Sequence, residues 1–357
     1  MAEFHEVKIS DLYHETNDTV VLTFDIPENL QESLRFIHGQ HLILKKSING
    51  KQLRRTYSLC TSPDELIWKV AVKRIPGGVF SNFANDELKI GDSIEIMKPS
   101  GKFYVNCEPE KARNYIAFAA GSGITPLMSI IKTHLNREPE STFKLFYLNR
   151  TSKSIIFKEE IEQLKNMFFQ RFHVFYFLTQ EQRDIEFLNG RFDKEKMDIL
   201  TSTFIDIEDT AHCFLCGPKD MIFLVRDELK AAGMPKERIH YELFFSGEPG
   251  AKDLQISETL DKMADGTEVT IIDGGKEFHF TMDESHQSVL DGALAEGADL
   301  PYACKGGVCS TCKCKVLKGE VKMRLNYALE QDELDQNFVL SCQAVPVSDK
   351  IIVDFDV

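Results

Sequence analysis

The chain has 357 residues, enough for two or three domains that each bury a core of their own. Hydrophobic residues make up 43% of it and charged residues 27%, and no apolar run could span a bilayer, which excludes a disordered or membrane-inserted chain. The net charge of −14 argues against binding to nucleic acid, because phosphate recognition needs a concentrated positive surface.

The N-terminal segment MAEFHEVKIS has neither the basic start nor the apolar run of a secretory signal, so we expect a cytoplasmic protein. From there to about residue 105, short runs rich in β-branched and aromatic residues alternate with glycine-containing turns. The runs include VVLTF (20–24), HLIL (41–44) and WKVAV (68–72). This pattern predicts a small antiparallel β-barrel in a domain spanning residues 1–108.

The segment RTYSLCT (55–61) ends one barrel strand and combines a guanidinium, an aromatic ring and hydroxyls. The planar fork of an Arg suits a pyrophosphate, a Tyr ring can pack on an isoalloxazine, and a hydroxyl can reach a flavin nitrogen. On physical grounds alone, an ordinary ladder of cross-strand pairs explains these residues about as well. The nearby segment GGVFSN (77–82) predicts a helix that begins at Ser81, whose first N–H groups could hold phosphate.

From about residue 112 to 245, apolar strands alternate with helical patterns, which predicts a parallel sheet covered by helices in an α/β domain spanning 109–245. AAGSGITP (119–126) and CGPKDM (216–221) both lie where a strand passes into a helix. Glycines there let the backbone approach a pyrophosphate, which the helix N-terminus stabilises. Either segment alone is weak evidence for a nucleotide site.

The segment SGEPGAK (246–252) lacks apolar periodicity and predicts a linker, which we extend over 246–264. Beyond it, EVTII (268–272) and EFHF (277–280) flank DGG, a strong hairpin signal. A short helix over 288–296 and a strand over 313–317 follow. These elements predict a third domain spanning 265–357.

Nine cysteines in a cytoplasmic chain are not expected to form disulfides. Their distribution predicts a metal site instead, because Cys-x4-Cys-x2-Cys followed by a distant Cys is the spacing of plant-type [2Fe-2S] ligation. A structural zinc site is the alternative, but zinc ribbons use two separated Cys-x2-Cys pairs and this chain has one close pair of this kind near its C-terminus. The predicted ligands are Cys304, Cys309, Cys312 and Cys342. The cysteines predicted to be ordinary packed residues are Cys60, Cys107, Cys213, Cys216 and Cys314.

Together these segments resemble the ferredoxin-NADP⁺ reductase superfamily, in the form that adds a C-terminal plant-type ferredoxin domain. The flavin signature Arg-x-Tyr-Ser-x-x-Ser/Thr is matched by Arg55, Tyr57, Ser58 and Thr61. The resemblance implies a multidomain protein with an antiparallel FAD-binding β-barrel, a parallel-sheet α/β domain for NAD(P)H, and an α+β ferredoxin domain of the β-grasp type. That domain order is the layout of one group of bacterial oxygenase reductases.

The resemblance also assigns site residues. The flavin residues are Arg55, Tyr57, Ser58, Thr61, Gly78, Val79, Phe80 and Ser81. The nicotinamide residues are Gly121, Gly123, Thr125, Cys216, Gly217 and Pro218, with Glu242 and Phe244 near the face of the flavin that receives the nicotinamide. Ser58, Cys216 and Glu242 are the residues expected at the reacting atoms. Arg150 can pair with a 2′-phosphate, which favours NADPH over NADH, although Leu148 stands where the family pattern leads us to expect Gly.

The predicted function is therefore transfer of electrons from NADPH, through FAD and a [2Fe-2S] cluster, to a partner oxygenase that is multisubunit and di-iron. We expect neither nucleic acid nor membrane as a partner. The reductase of another multicomponent oxygenase or desaturase, a stand-alone reductase of a small acceptor, and a redox sensor without a hydride site are the competing interpretations. The acidic surface either aids solubility or steers the protein toward a basic partner.

Overall fold

The computed structural model describes residues 3–244 and 265–356. Within them the chain divides into two compact units: residues 5–53 and 57–244 form the larger unit, and residues 3–4, 54–56 and 265–356 form the smaller one. The predicted linker at 246–264 lies outside the described residues. None of the described helices is both long enough and apolar enough to cross a lipid bilayer.

The N-terminal part forms a six-stranded sheet in the order β4-β3-β6-β1-β2-β5. Its strands are β1 (Phe4–Thr16), β2 (Thr19–Asp25), β3 (His41–Ile48), β4 (Lys51–Ser58), β5 (Trp68–Lys73) and β6 (Ser93–Met97), and its helices are α1 (Glu28–Gln31) and α2 (Val79–Asp86). Pairings β1–β2, β2–β5 and β3–β6 are antiparallel. Val20, Leu22 and Val70 are fully buried because alternate strand residues point into one apolar core.

The next part is a five-stranded parallel sheet in the order β11-β10-β7-β8-β9. Its strands are β7 (Asn114–Ala120), β8 (Thr142–Asn149), β9 (Phe172–Leu178), β10 (Thr210–Gly217) and β11 (Ile239–Leu243), and its helices are α3 (Ile124–Arg137), α4 (Lys158–Met167), α5 (Lys194–Ile199) and α6 (Lys219–Ala231). The strands are nearly continuous apolar runs, as expected for a sheet with helices on both faces.

The C-terminal part is a five-stranded mixed sheet in the order β13-β12-β18-β14-β16, with a two-stranded sheet of β15 and β17. Its strands are β12 (Glu268–Asp273), β13 (Lys276–Thr281), β14 (Lys313–Lys318), β15 (Val321–Met323), β16 (Phe338–Leu340), β17 (Ala344–Pro346) and β18 (Lys350–Asp354), and its helices are α7 (Val289–Ala295) and α8 (Gln331–Asp335). β12 and β13 form the predicted hairpin, with Asp273 opposite Lys276.

This architecture confirms the predicted fold class of an antiparallel barrel-like sheet, a parallel α/β sheet and an α+β domain. β11 lies beside β10 although its five residues show weak periodicity. β11 pairs with a strand that is distant in the sequence, and a local pattern of residues does not predict such a pairing.

Candidate functional site

The end of β4 carries the segment that predicts a flavin site. Arg55 is exposed, Tyr57 is half-buried, and Ser58 is 3% exposed at the last position of the strand. The Tyr57 ring lies 5.6 Å, centroid to centroid, from the ring of Phe80 in α2. The strand end and the helix start are therefore adjacent, so that one ligand could contact a ring, hydroxyls and the helix N-terminus together.

The turn before α2 is tightly packed at Gly78. α2 begins at Val79 and not at the predicted Ser81. The Ser81 hydroxyl stabilises the preceding turn instead, because it accepts a hydrogen bond from the Ile75 N–H at 3.1 Å. A Cβ at Gly78 would lie 2.6 Å from the Ser81 Oγ and 3.1 Å from the Ile75 carbonyl oxygen, so a larger residue would displace the Ser81 hydroxyl from the turn. The free backbone N–H groups at the start of this helix could bind the phosphate of a flavin.

The two glycine-containing turns of the parallel sheet meet at the carboxyl ends of β7 and β10, which are neighbouring strands. A Cβ on Gly123 would lie 2.1 Å from the Cys216 carbonyl oxygen, so the two backbones touch with no side chain between them. Pro218 is the residue that precedes α6, and a Cβ on Gly217 would lie 2.8 Å from the Met221 Cε. Crevices at the carboxyl ends of parallel strands are where nucleotides bind in such folds.

The Gly-rich turn before α3 is held by two hydroxyls. Gly121 has a φ of +52°, a region that favours glycine, and its carbonyl accepts a hydrogen bond from the buried Tyr147 hydroxyl at 2.9 Å. The Thr125 hydroxyl donates to the Ser122 carbonyl at 3.0 Å. The N–H groups at the start of α3 are thereby held in one arrangement, which suits a bound pyrophosphate.

Glu242 in β11 comes within reach of the end of β4. The Ser58 hydroxyl donates a hydrogen bond to Glu242 Oε2 at 3.2 Å, and His41 Nδ1 lies 3.6 Å from Glu242 Oε1. His41 is 3% exposed, and its Nδ1 has no hydrogen-bond partner among the described residues. An unsatisfied buried nitrogen beside a carboxylate and a hydroxyl indicates a place where a polar ligand atom fits.

Cys216 lies beside Glu242, because β10 and β11 pair with these two residues in register. Burial, together with the nearby Glu242 carboxylate, raises the pKa of the Cys216 thiol well above its ordinary value. The thiol therefore stays protonated near neutral pH, which fits a role in positioning a ligand and not one as a nucleophile.

Three other predicted residues, Arg150, Thr61 and Phe244, complete the set in the larger unit. Arg150 is exposed directly after β8, and Leu148, where Gly is the family pattern, is buried within that strand. The Thr61 hydroxyl donates to the Ile67 carbonyl at 2.5 Å and so holds a turn of the barrel. Phe244 is half-buried after β11 and packs against the core of the larger unit.

The four predicted cluster ligands converge in the smaller unit as two pairs of thiols. Cys304 shares a hydrogen bond with Cys309, and Cys312 shares one with Cys342. The Cys309 thiol lowers the pKa of Cys304 to about 6, and N–H groups of Gly306 and Val308 also favour the thiolate. Two sulfur pairs are the donor set that two irons bridged by sulfide require, so these residues fit a [2Fe-2S] cluster.

The loop that carries the cysteines has a strained backbone. Lys305 and Ser310 have φ values of +52° and +49°, in a region that non-glycine residues seldom adopt. The Gly306 N–H points at the Cys304 sulfur at 3.3 Å, and Gln343 Nε2 donates to the Lys305 carbonyl at 2.8 Å. A loop wound so that N–H groups face the sulfurs can stabilise a negatively charged cluster.

Sequence reasoning missed two residues of these sites, His41 and Tyr147. His41 begins β3 and lies near the other site residues only through the packing of the fold. Tyr147 belongs to a segment whose pattern predicts a buried strand, and its hydroxyl contact with Gly121 follows from the pairing of β7 with β8. No local sequence signal distinguishes either residue from a core residue.

Three family models match the chain in the order of these sites. Residues 6–104 match an oxidoreductase FAD-binding domain, residues 118–227 an oxidoreductase NAD-binding domain, and residues 271–347 a 2Fe-2S iron-sulfur cluster binding domain. Fold and sites thus define an oxidoreductase that uses FAD, a pyridine nucleotide and a [2Fe-2S] cluster.

The chain is 44% identical to one of the subunits of 1,2-phenylacetyl-CoA epoxidase from Escherichia coli (strain K12), over 100% of this chain and 99% of that protein. It is 32% identical to the ferredoxin reductase component of 3-ketosteroid-9-alpha-monooxygenase from Rhodococcus rhodochrous, over 97% of this chain and 95% of that one. Phthalate dioxygenase reductase shares its fold, with a TM-score of 0.62 at 23% identity, over 99% of this chain and 98% of that one. The chain belongs to the ferredoxin-NADP⁺ reductase family whose members carry a [2Fe-2S] domain.

Proposed function

We propose that this chain is an NADPH-dependent reductase that delivers electrons through FAD and a [2Fe-2S] cluster to a di-iron oxygenase, namely a phenylacetyl-CoA epoxidase acting in phenylacetate degradation. The observation that carries the proposal is the 44% identity over the whole length to a component of that complex. When bound, the flavin converts the two-electron chemistry of a nicotinamide into the one-electron chemistry of an iron–sulfur cluster.

The proposed roles of the flavin residues follow from their positions. Arg55, exposed at the end of β4, would bind the pyrophosphate with its planar fork, and Tyr57 would pack on the ring system. Ser58 and Glu242, joined by a hydrogen bond of 3.2 Å, would line the side that the nicotinamide approaches. Ser58 holds a proton there, and Cys216, protonated and buried, would shape the wall of that space.

The preference for NADPH is proposed on Arg150. Its guanidinium is exposed at the carboxyl end of β8, next to the strand that leads into the Gly-rich turn. An Arg at this place can form charge-assisted hydrogen bonds with the 2′-phosphate that NADPH has and NADH lacks. The test is the kcat/KM for NADPH divided by the kcat/KM for NADH. In Arg150→Ala we expect this ratio to fall about tenfold to a hundredfold. An unchanged ratio contradicts the role of Arg150.

The cytoplasm is the proposed location, because free thiols and NADPH both belong to a reducing compartment.

The oxygenase partner is tested by reconstitution. The purified chain is mixed with the remaining components of a phenylacetyl-CoA epoxidase, and NADPH oxidation is followed with and without phenylacetyl-CoA. We expect oxidation that depends on both the epoxidase and its substrate. Substrate-dependent oxidation with a 3-ketosteroid monooxygenase, and none with the epoxidase, would assign the chain to another oxygenase. NADPH oxidation with small acceptors alone would indicate a stand-alone reductase.

A further inference from the structure

Two histidines and a cysteine outside the cofactor sites meet inside the larger unit. His38 precedes β3, Cys107 lies between β6 and β7, and His134 is in the last turn of α3. Each of these three offers one ligand atom, and these atoms lie within 4.8 Å of one another. The three residues come from separate segments, so no spacing in the sequence predicts that they lie together.

The two histidines are buried, yet each leaves one ring nitrogen unsatisfied. His38 is 3% exposed and His134 is 0% exposed. Within the described part of the chain, His38 Nδ1 and His134 Nε2 have no hydrogen-bond partner. Buried polar atoms are nearly always paired, so two orphaned nitrogens in one cluster point to a bound partner that supplies the missing interaction.

The other nitrogen of each ring is held in place. His38 Nε2 is 2.8 Å from the Val105 carbonyl oxygen, and His134 Nδ1 is 3.2 Å from Glu138 Oε1. A ring fixed at one nitrogen by a carbonyl or a carboxylate presents its second nitrogen to a metal ion, which is the arrangement found around metal-binding histidines. Glu138 itself is held, because it accepts a hydrogen bond from the Tyr115 hydroxyl.

The donor set suits zinc. A tetrahedral Zn²⁺ ion with one thiolate and imidazole ligands places the sulfur and a nitrogen about 3.5 Å apart. The Cys107 sulfur lies 3.7 Å from His134 Nδ1, the nitrogen that also faces Glu138, and one ligand atom from each of the three residues lies within 4.8 Å of the others, so the thiol lies close to both rings. One soft sulfur with two borderline nitrogens favours Zn²⁺ over Mg²⁺ or Ca²⁺, which take oxygen ligands.

We propose that His38, Cys107 and His134 bind a Zn²⁺ ion, with Glu138 orienting His134 or completing the coordination sphere. The ion joins the loop before β3 of the barrel sheet to the end of α3 of the parallel sheet, through the segment that connects the two sheets. Its role is structural, because none of its residues belongs to the flavin, nicotinamide or cluster residues named above. Cys107 is thereby assigned a function that its sequence context does not predict.

The test measures zinc in the purified full-length protein, grown in zinc-supplemented medium and dialysed against a weak chelator. We expect about one zinc ion per chain beside the iron of the cluster. In Cys107→Ser and His38→Gln, we expect retained zinc to fall about tenfold or more, with iron and flavin contents unchanged. Cys213→Ala and the exposed His173→Gln are the matched controls and should keep the wild-type zinc content.

Two further readouts separate this site from others. Zinc K-edge X-ray absorption should report one sulfur with nitrogen or oxygen neighbours, whereas zinc that replaced the cluster would show only sulfur. A strong chelator should lower the thermal unfolding midpoint of the wild type more than that of Cys107→Ser. No zinc above background in the wild type, an all-sulfur spectrum, or equal zinc in Cys107→Ser would each overturn the proposal.

Discussion

At the scale of single residues, Gly123 lies where the Gly-rich turn before α3 touches the backbone of Cys216. A Cβ there would lie 2.1 Å from the Cys216 carbonyl oxygen, and backbone atoms cannot move aside as a flexible side chain can. The whole turn before α3 would therefore shift, and a displacement of about 1 Å in a binding site can cost about a hundredfold in rate.

We therefore expect Gly123→Ala to raise the KM for NADPH strongly and to lower kcat/KM, while FAD stays bound. Steady-state kinetics with ferricyanide as acceptor and the flavin absorbance check both parts. Ser122→Ala is the control, because it removes an oxygen from the same turn without adding bulk. Normal kinetics for Gly123→Ala would mean that the turn does not hold the nucleotide.

The pair His212 and His240 predicts a dependence of stability on pH. Burial, with the neighbouring His240, lowers the pKa of His212 to about 4, and burial also lowers the pKa of His240. The unfolded chain binds protons at these positions below about pH 6.5, whereas the folded chain keeps His212 neutral down to about pH 4. The free energy of unfolding should therefore decrease as the pH falls through that window.

The measurement is the thermal unfolding midpoint at several pH values between about 7 and about 4.5, a range that brackets the ordinary pKa of histidine. His212→Gln should show a shallower decrease than the wild type, and the exposed His173→Gln should follow the wild type. Parallel curves for all three proteins would show that the His212 pair contributes nothing to acid destabilisation.

At the scale of elements, helix α7 supports the cluster segment. Its N-terminus is capped by Ser288, whose hydroxyl accepts a hydrogen bond from the Asp291 N–H at 3.1 Å. The Leu290 N–H in its first turn donates to the Ser341 carbonyl at 3.1 Å, directly beside the cluster ligand Cys342. The cap therefore stabilises the helix and, through it, the position of the last ligand.

Ser288→Ala should lower the free energy of unfolding of the C-terminal domain by about 1 kcal/mol, because one helix N–H loses its partner. Urea-induced loss of the visible cluster absorbance measures this. Ser288→Asp keeps a capping oxygen and should stay close to the wild type. A midpoint that is the same for Ser288→Ala and the wild type would contradict the role of the cap.

Elements with strong periodicity were predictable, and element ends were less so. β9 spans Phe172–Leu178, a continuous apolar run closed by turns, so the residue pattern itself marks both of its ends. α2 begins before the predicted residue, because a side chain typical of a helix cap serves the preceding turn instead. The local pattern predicts a helix that begins at Ser81. The hydrogen bond between the Ser81 hydroxyl and the Ile75 N–H depends on how the turn folds.

At the scale of the whole molecule, the order of the sites predicts the order of electron flow. We expect a small acceptor such as ferricyanide to take electrons directly from the flavin, and a protein acceptor such as cytochrome c to receive them through the cluster. Cys312→Ser removes one of the four thiols and should abolish the cluster. We expect NADPH-dependent ferricyanide reduction to remain and cytochrome c reduction to fall close to background.

Cys314→Ala is the control for that variant. Cys314 is fully buried two positions further on, and burial raises the pKa of its thiol well above the ordinary value, which suits a packed free cysteine. Both activities should persist in Cys314→Ala. Loss of ferricyanide reduction in Cys312→Ser, or of the cluster in Cys314→Ala, would contradict this assignment of the cysteines.

The sequence by itself determined the family and predicts the four cluster ligands, because those signals are short-range: cysteines at fixed spacing, and glycine turns between a strand and a helix. Only the tertiary structure decided which distant side chains meet. Glu242 meets both Ser58 and His41 because β4, β11 and β3 come together, and His38 meets His134 because a barrel loop packs on α3. Such contacts depend on the packing of whole elements, which no local pattern of residues encodes.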